Sequence, residues 1–220
     1  MMNNPLVYKW LSALMCYPEQ ELVDTLPEFQ TALNEWPELN PKHEALQAFL
    51  DYLGNTSLRE LQEYYVRNFD HNRQQALYLF EHIYGEDRDR GSAMVDLIEE
   101  YRRHGFELGD EELPDYLPAV LEFLSFIPEA DAQKILGDAA HVIAHIAAKL
   151  ETARSPYAAL LQAAAALTPV EPKALIEPPV RDMDEAMEMF GSDIAGVEPL
   201  LKPSIETVRF YPKGSLGTRP

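Results

Sequence analysis

His141 and His145 stand four residues apart, a spacing that sets two imidazoles on one helix face within reach of a single metal ion. A zinc-protease site also needs a Glu directly after the first His, and a di-iron bundle needs paired Glu-x-x-His motifs. Here Val142 follows His141, and the residues three before the six histidines are Asn40, Asn68, Leu79, Tyr101, Asp138 and Val142. The pair reads as surface or helix-packing histidines, and a helical metal-binding protein or enzyme using His141 and His145 stands as the alternative. Glu81 and His82 could form an acid/base pair, but adjacent helical residues point in different directions and no nucleophile stands near them. Gly85 and Gly91 flank an acidic segment that repels phosphate, so no nucleotide loop is present. Cys16 is the one cysteine, which excludes an internal disulfide and a thiolate metal cluster and suits a small apolar filler. The expectation is a protein without catalytic residues, metal or cofactor of its own.

The densest cluster of charged, aromatic and Pro-Asp residues lies between Tyr78 and Leu124, and three helices must position it. Apolar residues crowd Gln75 to Tyr84, with Glu81 and His82 as the polar exceptions, which predicts a helix that is buried or needs a partner, stopped by Gly85. Glu86 and Asp87 place negative charge at the start of the next helix, where Met94, Leu97, Ile98 and Tyr101 share one face and Gly105 ends it. The run Asp87-Arg88-Asp89-Arg90 is either a solvated charge run or a recognition surface. Glu112-Leu113-Pro114-Asp115-Tyr116-Leu117-Pro118 then predicts a rigid entry into a helix from Tyr116 to Ile127, with Asp115 as its N-cap accepting from the Leu117 amide and Leu117, Leu121 and Leu124 as its core stripe.

Elsewhere the chain reads as helix after helix with almost no strand signal. Leu6, Val7, Trp10, Leu11 and Leu14 make the first, stopped by Pro18; Leu22 to Leu33 carries a second pattern that Pro27 splits. Leu46, Phe49, Leu50 and Leu53 form another, closed by Gly54, and Ser57 with Glu60 has capping-box spacing ahead of the next. A long helical region follows from Asp131 to Arg154 with Gly137 as a kink candidate, and Ser155-Pro156 starts a further helix through Leu167. From Pro169 onward eight prolines accompany one short helical pattern, Asp182 to Phe190. The division expected is an all-helical domain over 1–168 and a Pro-rich, mobile tail over 169–220.

At 220 residues with 46% hydrophobic content, the chain can bury one good core. A net charge of −19 argues against nucleic acid and anionic lipid and for a basic partner. The opening apolar run has no basic stretch before it, is interrupted by Lys9 and meets no small-residue cleavage site, and no later span reaches membrane length. A cytoplasmic protein without stable membrane insertion is expected.

The strings LFEHIYGEDRDRGSAMVDL and ELPDYLPAVLEFL, continuous over about Leu77 to Leu124, resemble the NarJ family of respiratory nitrate reductase assembly chaperones, within the wider group of TorD-like redox-enzyme maturation proteins. Trp10 to Pro18 is similar to that family's opening helix ending in a Tyr-Pro pair, and where many members carry His this chain has Tyr116. The resemblance implies an all-α, single-domain helical bundle of the TorD-like type. It also implies a chaperone that performs no chemistry, binds the N-terminal segment of the apo catalytic subunit of nitrate reductase, and permits molybdenum cofactor insertion before membrane attachment. Carried over by position, the peptide groove involves Leu79, Phe80 and Glu81, with Pro114, Asp115 and Tyr116 of the Pro-Asp motif. Apolar and aromatic walls would bury the guest, and carboxylates would read its basic residues.

Overall fold

The computed structural model describes residues 4–85, 89–109 and 112–175, together with the backbone of Tyr211–Pro212. Helix α1, Pro5–Met15, is started by Asn4, whose side chain accepts from the Leu6 amide while Pro5 fills the first turn. Two short helices follow, α2 (Gln20–Asp24) and α3 (Leu26–Glu35), divided at Thr25, with Pro27 in the first turn of α3. After a 3-10 turn over Pro37–Lys42 come α4 (His43–Asn55) and α5 (Leu58–Tyr65). The Ser57–Glu60 capping box opens α5, with both reciprocal bonds made.

The second half contains α6 (Leu79–Tyr84), α7 (Asp89–Arg103), α8 (Leu117–Leu124), α9 (Glu129–Thr152) and α10 (Ala158–Ala166). The only sheet among the described residues is the antiparallel pairing of β1 (Phe106–Glu107) with β2 (Tyr211–Pro212). The chain is thus an all-helical single domain. Its core forms where α1 packs on α8 and α9 packs on α10, burying Val7, Leu11, Leu14, Leu121, Leu124, Ile146 and Leu161 in one cluster. Tyr157 enters that core beside Phe49 and Phe69, with ring centroids at 4.9 and 5.0 Å.

Several boundaries differ from the sequence expectation, and at the starts of α6 and α8 long-range bonds outweigh the local pattern. The helix expected from Gln75 begins only at Leu79: a 3-10 turn ends at Gln75, and the following segment is drawn out to bridge Tyr78 to Tyr116. The helix expected over Tyr116 to Ile127 is Leu117–Leu124, with Tyr116 at its N-cap. Asp115 does not cap it, because the Leu117 amide donates instead to the Leu77 carbonyl at 2.8 Å. Ser155 accepts from the Tyr157 amide in a turn ahead of α10, whose first helical residue is Ala158. Helix α4 runs through Gly54 to Asn55, and α9 runs through Gly137. There the missing side chain admits Val170, whose Cγ2 would lie 3.1 Å from an added Cβ. Gly85, at φ +54°, and Gly105, at φ +86°, end their helices in the left-handed region, as read from sequence. Glu86, Asp87, Arg88, the helix expected over Asp182 to Phe190 and most of the expected tail lie outside the described residues.

Candidate functional site

The Pro-Asp turn and α6 are one unit, built from bonds that span about 35 residues of chain. Tyr78 and Tyr116 form an antiparallel bridge, with the Leu117 amide on the Leu77 carbonyl at one side and the Leu79 amide on the Asp115 carbonyl at the other, 2.8 and 3.0 Å. The Asp115 carboxylate then accepts from the Phe80 amide through Oδ2 at 2.9 Å. A helix N-terminus exposes amides that lack intrahelical partners. Asp115 supplies the acceptor for one of those amides in α6, so it caps the neighbouring helix rather than its own.

The residues expected to line a groove divide into two sets. Leu79 (4% exposed), Pro114, Asp115 (0%) and Tyr116 (9%) are buried. Phe80 and Glu81 are partly exposed. The buried set is a frame: Tyr116 hydroxyl lies 2.7 Å from that of Tyr65, which donates to the Met15 carbonyl, and Tyr101 donates to the Pro114 carbonyl at 2.6 Å. Outward from this frame stand Phe80, Tyr78 and Tyr84 at intermediate burial, with Ile83 (38% exposed) and Leu113 (43%) as exposed aliphatics. The Phe80 and Tyr84 rings meet edge-on, 5.9 Å between centroids.

Carboxylates rim this face. Glu81 pairs with Arg73 at 2.9 Å, and Glu112 accepts from the Tyr78 hydroxyl at 3.2 Å and the Leu113 amide at 3.0 Å. Burial raises the Glu112 pKa, and its two hydrogen bonds pull it back only in part. Burial likewise raises Asp115, against the Phe80 amide and the Arg90 charge, and leaves its Oδ1 without a donor. Glu112, Ile83 and Tyr101 were not singled out as site residues from sequence. Glu112 is in the ELPDYLP string, but its burial and its Tyr78 contact depend on a strand-like bridge that helical periodicity hides.

The arrangement is suited to binding a chain, and the catalytic candidates do not assemble. His82 Nε2 donates to the Ala76 carbonyl at 2.8 Å, and burial holds its pKa down; Glu81 is engaged with Arg73, so the two do not form an acid/base pair. His141 Nδ1 accepts from the Lys173 amide, and no group of three metal-binding side chains occurs among the described residues. Burial pushes the Cys16 thiol up to about 12, the behaviour of an inert filler. Among the described residues no helix is long and apolar enough to cross a membrane.

The family model for the nitrate reductase delta subunit matches residues 37–163. The nitrate reductase molybdenum cofactor assembly chaperone NarJ of Escherichia coli K12 is 40% identical over 152 residues, covering 68% of this chain and 64% of that protein. The probable chaperone NarW of the same organism is 38% identical over 157 residues, 71% of this chain and 65% of its own length. The probable NarJ of Bacillus subtilis 168 is 30% identical over 159 residues, 72% of this chain and 86% of its own. The chain therefore spans just under two thirds of the length of the two Escherichia coli relatives it matches.

Proposed function

The chain belongs to the family of the nitrate reductase delta subunit and the NarJ assembly chaperones, and we propose that it is itself such a chaperone, with a nitrate reductase catalytic subunit as its client. It acts without chemistry of its own, in the cytoplasm. It binds the N-terminal segment of the apo subunit, keeps it from the membrane anchor, and leaves the client open to receive its molybdenum cofactor.

The observation that carries this reading is the exposed apolar surface of α6 and the Pro-Asp turn bridged to it: Ile83 with half-buried Phe80 and Tyr84 on α6, Leu113 on the turn, and Glu81 and Glu112 on the same two elements. An amphipathic guest helix could lay aliphatic anchors against that surface while its Lys or Arg residues meet the rim. The buried residues Leu79, Pro114, Asp115 and Tyr116 contribute by holding α6 and the turn in register. The net charge of −19 supplies a long-range attraction for a basic segment.

Affinity purification from nitrate-respiring cells tests the client assignment. The catalytic subunit should co-purify in its cofactor-free form, and lose the chaperone when its N-terminal segment is deleted. Recovery that is indifferent to that deletion would refute the binding mode.

A further inference from the structure

The last stretch of this acidic chain has the opposite charge. From Pro199 to Pro220 it carries Lys202, Arg209, Lys213 and Arg219 against Glu206 alone, among Leu200, Leu201, Ile205, Val208, Phe210 and Tyr211. A basic, apolar segment is also what the face around α6 is proposed to receive from a client. The negative charge of the rest of the chain attracts both alike.

Within that stretch the backbone of Tyr211–Pro212 pairs with β1, Glu107 opposite Tyr211 and Phe106 opposite Pro212. The strand that receives it is fixed beside the proposed client face. The Phe123 ring of α8 meets Phe106 edge-on at 5.8 Å and Tyr101 of α7 at 4.5 Å, and the Tyr101 hydroxyl donates to the Pro114 carbonyl at 2.6 Å. One aromatic side chain therefore joins β1 to the turn that carries Glu112 and Leu113. The ladder itself is weak, because it is two residues long and Pro212 has no amide with which to extend it. Tethering offsets that weakness: a segment on the same chain competes at an effective concentration on the order of 1 mM. Such a contact is populated in the free protein and can be displaced.

We propose that the segment around Tyr211 docks on β1 in cis as an internal stand-in for the client, and that a client segment must displace it to occupy α6 and the Pro-Asp turn. The competition rests on the client-binding role proposed above, whereas the docking does not.

Directly opposed residues of an antiparallel pair lie within the span that a disulfide bridges, so the full chain carrying Glu107→Cys and Tyr211→Cys tests the docking. Mild oxidation should give a cross-linked monomer. The Cys16 thiol, held up at about 12, takes no part. Two chains linked to each other, or no cross-link, would overturn docking in cis. The client's N-terminal peptide, followed by calorimetry, should bind the cross-linked protein roughly fivefold or more weakly than the same protein after reduction. It should bind the full chain with Arg209→Glu and Lys213→Glu roughly threefold or more tightly than the wild type. Equal affinity across these forms would overturn the competition and leave the client role standing. Absence of binding to every form, reduced and wild type included, would refute the client role and the competition together, while the cross-link still decides the docking.

Discussion

Asp115 is a buried carboxylate whose part in the proposed site is to hold α6, out of reach of a guest. Its Oδ2 caps α6 through the Phe80 amide, and the side chain is fully buried. Asp115→Ala should cost about 1–2 kcal/mol of stability, measurable by denaturant unfolding, because the amide is left unpaired. Asp115→Asn keeps an acceptor and should be at least as stable as the wild type at neutral pH, with peptide affinity unchanged. Its pH profile should also flatten. The folded-state pKa of Asp115 is raised, so the folded protein takes up the proton first as pH falls, and stability from this site rises as pH drops from the raised value toward the ordinary carboxylate range. Glu112 has the same direction of shift but sits at the rim, where a guest cation favours its ionised form. Peptide affinity should therefore fall as pH drops through the raised Glu112 pKa, and Glu112→Gln should remove that dependence in binding titrations.

At the scale of elements, α6 is held from outside itself. Six residues make a helix too short to stand alone, so its position depends on the Tyr78–Tyr116 bridge and the Asp115 cap. This is why its limits were illegible in the sequence. Helices α1, α7 and α9 could be read from apolar periodicity and local stop signals, which depend on residues a few positions apart. The start of α6 depends on partners 35 positions away, and Ala76 to Tyr78 carry an apolar pattern that helix and extended chain satisfy equally. The same limit hid the frame: the burial of Leu79, Pro114, Asp115 and Tyr116, four of the residues read as groove lining, could not be read from the sequence. Residues after α10 make a comparable long-range contact, since Val170 fills the space at Gly137 and Lys173 bonds to His141. A chain ending at Thr168 should melt a few degrees lower than one ending at Leu175, the shift expected for a loss of about 1 kcal/mol in a chain of this length.

For the whole molecule, the acidic charge and the apolar face have separable kinetic effects. Under the proposed function, charge should accelerate encounter and be screened over about 8–10 Å at ordinary ionic strength, and burial of guest side chains against Phe80 and Ile83 should govern release. Phe80→Ala and Ile83→Asp should raise the off-rate with little change in on-rate, and salt should do the reverse. The most direct test is calorimetric titration of the folded full chain with a synthetic peptide of the client's N-terminal segment, at low and at physiological salt. Binding of one peptide per chain at both, weaker at the higher salt and lost in Ile83→Asp with Leu113→Asp, is the expected result. Absence of binding at either salt, or binding indifferent to that double substitution, would contradict the assignment of α6 and the Pro-Asp turn as the client-binding face.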